Sequence, residues 1–195
     1  MNTEKVLDIF KKSNALLAGH FLLTSGKHSS VYLEKFMVLQ QPGYTEMLCK
    51  NIAEHFRKKK IDVVLGAAVG GIIIAYETAR HLKTRAVFME REEGKLKLRR
   101  NFEIKEGENV LIVEDIVTTG GSVQELIDEL KANYKCNIAG IGIFIDRSGG
   151  RADFGVEDTF ALAKLDVKAY EEKDCPMCKD SVPLTKRGSR NLAKK

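Results

Sequence analysis

The sequence predicts an α/β fold: a central, mostly parallel sheet flanked by helices, with a small N-terminal hood. Two observations carry this. From residue 63 onward, short apolar runs that suit strands alternate with amphipathic stretches that suit helices. The run Val110-Leu111-Ile112-Val113 is also aliphatic throughout, as in a strand buried on both faces.

Taken in order, Thr3 is placed to cap a first helix. Val6, Ile9, Phe10 and Leu17 would share one face of it, and Gly19 would end it. Phe21-Leu22-Leu23 reads as a short strand entering the turn Thr24-Ser25-Gly26-Lys27-His28-Ser29-Ser30. Val31-Tyr32-Leu33 and Phe36-Met37-Val38-Leu39 are expected to be extended, and Pro42-Gly43 breaks the chain. The next helix carries Leu48, Ile52, His55 and Phe56 on one face, with Lys58-Lys59-Lys60 at its negative end.

Val63-Val64-Leu65-Gly66 then reads as a strand, residues 67–71 as a small-residue loop, and residues 72–82 as a helix. Ala86-Val87-Phe88-Met89 is the next strand, followed by a charged segment over 91–105. Val123, Leu126, Ile127 and Leu130 recur at i, i+3, i+4 and i+7 and predict a helix after Ser122. Strands at 138–145 and 159–162 complete the pattern. Ligands of such sheets bind at the C-terminal ends of the strands, where Glu114-Asp115, residues 67–71 and Asp146-Arg147 should meet.

The 195 residues, 44% of them apolar and 30% charged, suit one soluble core with a small appended lobe. No apolar run approaches a bilayer span, and the charged, amphipathic start lacks a signal-peptide core, so a cytoplasmic location is expected. The net charge of +5 gathers in residues 91–105 and after Glu171. A polyanionic small substrate or a nucleic acid would each suit that distribution.

The stretch with most chemical content is Val113-Glu114-Asp115-Ile116-Val117-Thr118-Thr119-Gly120-Gly121-Ser122. Unpaired backbone N–H groups at the start of a helix favour a phosphate. Gly120 and Gly121 let the backbone close around it, and Thr118, Thr119 and Ser122 offer hydroxyls. Glu114 and Asp115 would repel phosphate, so they should face ribose hydroxyls or a metal ion. This stretch closely resembles the 5-phosphoribosyl-1-pyrophosphate (PRPP) signature of type I phosphoribosyltransferases. The resemblance implies that residues 114–122 bind PRPP, with the loop on its 5′-phosphate and the acidic pair on the 2′- and 3′-hydroxyls. It also implies a pyrophosphate loop at Ala68, Val69, Gly70 and Gly71, and magnesium bound with PRPP.

Three further features resemble orotate phosphoribosyltransferases. Ser25-Gly26-Lys27-His28-Ser29 and Tyr32 match the region from which that family builds its base hood. Arg91 and Lys95 keep the spacing of the family's R-x-x-x-K-x-H catalytic flap, although Lys97 stands where the family has histidine. Arg147 and Thr118 occupy positions that contact orotate in the family. The resemblance therefore implies transfer of the phosphoribosyl group to orotate, giving orotidine 5′-monophosphate in pyrimidine biosynthesis. Arg91, Lys95, Lys97 and Asp115 would be catalytic, and a homodimer would share its flap across subunits. PRPP and orotate are the expected partners, with no membrane and no nucleic acid. A purine phosphoribosyltransferase and a non-catalytic PRPP- or RNA-binding regulator of the same fold stay open as alternatives. Arg147 argues against the first, since a purine carries no carboxylate, and the intact acidic pair argues against the second.

The expected organisation is a phosphoribosyltransferase domain over residues 1–170, with a hood over about 1–40 and a core over 41–170, and a basic tail over 171–195. The four cysteines are expected to be reduced thiols. Cys175-Pro176-Met177-Cys178 is a lone C-x-x-C in a polar, loosely held tail, and no metal held by side chains is expected. His28, His81 or a partner subunit could complete a ligand set.

Overall fold

The computed structural model describes residues 1–187. A six-stranded sheet forms the core in the order β5-β4-β3-β6-β7-β8. Its strands are β3 (Val63–Ala67), β4 (Arg85–Glu92), β5 (Lys95–Leu98), β6 (Asn109–Val117), β7 (Asn137–Asp146) and β8 (Thr159–Lys164). All neighbours run parallel except β4 and β5, which form an antiparallel hairpin at the sheet edge.

Burial on both faces explains the unbroken apolar runs. Val64, Leu111 and Val113 face a cluster built with Phe10, Ile52, Phe56 and Ile74. Val63, Leu65, Val110 and Ile112 face the other way, toward Met89, Leu126 and Ile127. The helices on the first face are α1 (Thr3–Lys12), α2 (Lys35–Leu39), α3 (Pro42–Phe56) and α4 (Gly70–Leu82); α5 (Gly121–Asn133) covers the second. Sheet centre and helix faces thus agree with the expected α/β architecture.

Several expected boundaries move, each for a local reason. Asn2, rather than Thr3, caps α1, its side chain accepting the Lys5 N–H at 3.0 Å. Asn14 turns into the left-handed region at φ 55, so α1 ends before Leu17 and Gly19, which lie in β1 (Leu16–Leu22). Residues 36–39 are helical in α2 rather than extended, which buries Val38 and Leu39 in the first cluster. Pro42 does not merely break the chain: it opens α3 at a position where its missing N–H costs nothing. His55 leaves the buried face of α3 and stacks on Phe160, ring centroids 3.9 Å apart.

A second sheet of four strands forms the hood, in the order β10-β1-β2-β9. Its strands β1 and β2 (His28–Leu33) come from the N-terminus, whereas β9 (Ala169–Tyr170) and β10 (Thr185–Lys186) come from the far end of the chain. Between them lie a single 3₁₀ turn and the one-turn helix α6 (Pro176–Lys179). The described part of the basic tail is therefore folded back onto the hood, and residues 188–195 lie outside the described residues. By contrast α1, at the start of the chain, packs Val6, Ile9 and Phe10 into the core cluster.

Candidate active site

The β6 strand carries Glu114 and Asp115 to the rim while keeping them only 7% and 3% exposed. Glu114 Oε1 accepts the Asp115 N–H at 3.0 Å, and Asp115 Oδ1 accepts the Ile116 N–H at 2.8 Å. Lys35 Nζ, from the first turn of α2, lies 2.8 Å from Asp115 Oδ2. Burial, with Asp115 alongside, pushes Glu114 up to about 8. Burial also raises Asp115, although Lys35 pulls it back. The pair is therefore held with one cation for two carboxyls, an arrangement poised to accept hydrogen bonds from hydroxyls or to share a second cation.

Beyond Val117 the chain leaves the sheet. Thr118 and Thr119 are exposed, and Gly120 adopts φ 84 before α5 begins. A Cβ on Gly120 would lie 2.8 Å from Phe154 Cε1 and 3.3 Å from Ala152 Cβ, so both the turn and its packing demand glycine. Residues 117–122 line a cavity of about 370 Å³, closed on one side by Arg91 and Glu125. Backbone N–H groups at the start of α5 and the threonine and serine hydroxyls give it the character of an anion cradle.

The loop before α4 comes against this acidic pair. A Cβ on Gly70 would land on Asp115 Oδ2, and one on Gly66 would land on the Gly71 carbonyl. Gly70 and Gly71 are buried, Ala68 is half-buried, and Val69 is exposed to solvent. The structure thus brings the second loop and the acidic pair onto the same rim.

Arg147 follows β7 and donates its backbone N–H to Val117 O at 2.7 Å, which ties it to the strand that carries the acidic pair. Its side chain lines a second cavity, of about 590 Å³, with Lys27, Arg151 and Tyr170. Thr118 and Thr119 line both cavities. Among the described residues no charged neighbour acts on Arg147, and burial alone holds its guanidinium below the usual arginine range. A half-buried guanidinium without an internal partner is suited to an external carboxylate.

Residues 37–160 match the model of the phosphoribosyl transferase domain. The chain is 52% identical over 192 residues to an orotate phosphoribosyltransferase of Caldanaerobacter subterraneus subsp. tengcongensis, covering 98% of this chain and 100% of that one. It is 47% identical over 187 residues to one of Thermotoga maritima, covering 96% and 99%. The chain belongs to the orotate phosphoribosyltransferases. Among solved structures, the orotate phosphoribosyltransferase of Aeropyrum pernix superposes with a TM-score of 0.67 at 26% identity, covering 82% of this chain and 93% of that one. An adenine phosphoribosyltransferase of Thermoanaerobacter pseudethanolicus, at 16% identity and a TM-score of 0.60 over 69% of this chain and 88% of that one, shares the fold.

The charged segment over 91–105 begins in the β4–β5 hairpin, which turns at Glu93 and Gly94 with φ 51 and 84, and residues 99–105 follow it outside any strand. Arg91 forms a two-pronged pair with Glu125 of α5, at 2.9 and 2.6 Å. That contact places Arg91 on the wall of the anion cavity. Lys97 lies 3.4 Å from Glu92 on the neighbouring strand, while Lys95 stands exposed near the hairpin tip.

Sequence reasoning missed Lys35 as a site residue. Lys35 falls in the stretch that resembles the family's hood, where the sequence assigns it no role, and the extended conformation expected for residues 36–39 would not present a helix start to Asp115. The described part of the tail, residues 171–187, departs from the expectation of a loosely held segment. Cys175 is fully buried, and both Cys175 and Cys178 lie against His20 and His28 rather than in a loosely held segment. His81 instead lies 3.2 Å from Glu77.

Proposed function

We propose that the chain's residues divide the reaction of orotate with PRPP, giving orotidine 5′-monophosphate and pyrophosphate, in the following way. Residues 117–122 hold the 5′-phosphate through backbone N–H groups and hydroxyls. Glu114 and Asp115 accept hydrogen bonds from the ribose hydroxyls. Ala68, Val69, Gly70 and Gly71 approach the pyrophosphate with almost no side-chain bulk. Thr118 and Arg147 orient orotate, the guanidinium meeting its carboxylate. As the bond from C1′ to pyrophosphate breaks, the ribose takes on oxocarbenium character and the N1 of orotate closes on it. The protein's part is positioning and charge stabilisation rather than covalent chemistry.

The observation that carries this reading is the wall shared by two cavities. Thr118 and Thr119 separate a space suited to phosphate from one lined by Arg147, which has no charged partner among the described residues. Glu114 and Asp115 are hard oxygen donors beside the first space, a set that suits magnesium held jointly with substrate phosphates. When bound, magnesium offsets the charge of the departing pyrophosphate.

Arg91, Lys95 and Lys97 act as flap cations: closure of the hairpin brings them over the pyrophosphate and excludes water. For this Arg91 must exchange Glu125 for substrate. A homodimer in which each flap serves the neighbouring site is supported by an apolar groove of about 460 Å³ between α3 and α4, lined by Leu39, Pro42, Ile72, Ile73 and Tyr76. Tyr76 is 68% exposed there, which a second copy would cover. Among the described residues no helix is long and apolar enough to cross a membrane. The free thiols suit a reducing cytoplasm.

The test is a spectrophotometric assay of purified protein with magnesium and PRPP, offering orotate, hypoxanthine, guanine and adenine separately. Orotate should be consumed only when PRPP is present. Turnover of a purine instead would overturn the role of Arg147 while leaving the PRPP site in place.

A further inference from the structure

The C-terminal C-x-x-C does not stand alone. His20 of β1, His28 of β2, Cys175 and Cys178 bring one ligand atom each into a group within 4.8 Å of one another. His20 Nε2 lies 2.8 Å from His28 Nδ1, 3.5 Å from Cys175 Sγ and 3.8 Å from Cys178 Sγ. Cys178 Sγ lies 3.3 Å from His28 Nδ1. A tetrahedral zinc ion with ordinary Zn–N and Zn–S bonds needs edges of about 3.3 Å between nitrogens and about 3.5 Å between nitrogen and sulfur. The three nitrogen–sulfur distances lie within about 0.3 Å of that edge, and the two nitrogens, 2.8 Å apart, need separate by only about 0.5 Å to admit the ion.

Three features of the chain build toward this centre. The β1–β2 register shifts between Ala18 and Phe21, and the irregularity turns His20 inward beside His28, leaving each only 3% exposed. Cys175 is fully buried although residues 171–174 and Pro176 are exposed, so the segment dips inward at that one side chain. Cys178 follows one helical turn later in α6 and faces the same point.

Hydrogen bonding sharpens the argument. His20 Nδ1 lies 2.8 Å from the Val182 carbonyl and donates to it, which leaves Nε2 as a bare lone pair. That lone pair faces three other ligand atoms and can accept a hydrogen bond from only one of them. A carbonyl fixing the far nitrogen of an imidazole is also the usual support of a metal-bound histidine.

We propose that His20 Nε2, His28 Nδ1, Cys175 Sγ and Cys178 Sγ form a structural site for a thiophilic divalent cation, zinc foremost. Binding releases one proton from each thiol. Two thiolates and two neutral imidazoles then balance the charge of the ion in a buried setting. All four corners are protein groups, so the ion has no open position for catalysis. Its work is mechanical. The strands β9 and β10 pair with the hood over two residues each, and the ion clamps the segment between them to β1 and β2. The proposal is independent of how orotate and PRPP are bound.

The test uses full-length, tag-free protein purified under reducing conditions without chelator. Elemental analysis should find about one zinc per chain. Cys136→Ser should retain it, whereas the double variant Cys175→Ser, Cys178→Ser should lose it. Because that variant can fail for reasons of folding, the wild-type protein is also stripped and titrated with cobalt. Tetrahedral d–d bands with thiolate-to-cobalt charge transfer, saturating at about one equivalent, are expected. Zinc at background level together with no tetrahedral cobalt spectrum overturns the site. Metal retained by the double variant overturns the ligand set.

Discussion

Lys35 Nζ lies 2.8 Å from Asp115 Oδ2, joining the first turn of α2 to the acidic end of β6. This contact couples the segment between the second hood strand and α3 to the centre of the candidate site. It also sets how much negative charge the acidic pair carries before substrate arrives.

Replacing that lysine should therefore change both stability and pH dependence. Lys35→Met leaves a carboxyl that is 5% exposed without its cation, while the lysine itself, at 36%, admits some water. The expected cost is about 1–3 kcal/mol, below the range for fully buried pairs. Asp115 should then hold its proton to higher pH, moving the acidic limb of the kcat/KM profile upward. An unmoved limb in the variant would separate Lys35 from the charge of Asp115.

A contrast between two glycines tests the close approach of the loops. In Gly70→Ala the new methyl group would meet Asp115 Oδ2, with Lys35 Nζ at 3.4 Å and Leu39 Cδ1 at 3.5 Å. It should cost more than about 2 kcal/mol and cripple turnover. Gly43→Ala, in the first turn of α3 with nothing within 4 Å, should be neutral or stabilise by up to about 1 kcal/mol. Denaturant melts of both variants check the pair, and equal stability of the two would refute the packing argument.

The acidic pair should cost the free protein stability as pH rises. Burial raises Glu114 from its ordinary value to about 8, so the folded chain keeps a proton that the unfolded chain has lost. The benefit of that proton is full below the ordinary carboxylate range. It declines until both states are ionised, above about pH 8. Glu114→Gln should then melt higher than the parent at about pH 8, by on the order of 1–3 kcal/mol, and the gap should close toward about pH 4. Thermal melts across that range decide it, and parallel curves would count against a raised Glu114.

Arg147 should act on orotate and leave PRPP alone. Arg147→Ala should lower kcat/KM for orotate on the order of a hundredfold, because a buried charge pair is lost. Arg147→Lys should recover little, since an ammonium cannot match a carboxylate two-pronged. The KM for PRPP should stay within about threefold in both. A KM for PRPP that rises in step with that for orotate would place Arg147 elsewhere.

The contrast between the cradle and the group of two histidines and two cysteines separates what was legible in the chain from what was not. Residues 113–122 are contiguous, so strand, acids, glycine turn and helix start are all written in local order. The unbroken aliphatic runs Val63-Val64-Leu65 in β3 and Val110-Leu111-Ile112-Val113 in β6 likewise announced a sheet covered on both faces. Such features rest on backbone preference and short-range periodicity, which the residues carry with them. Tertiary structure decided the rest. Residues 36–39 became α2 because helix formation buries Val38 and Leu39 against the core, which outweighs their extended preference. Lys35 gained its partner only through that change. His20 and His28 stand 8 residues apart, and Cys178 lies 150 residues beyond His28. Nothing local links them. They meet because β9 and β10 return the end of the chain to the edges of the N-terminal hairpin, and pairing between distant segments is a property of the whole fold.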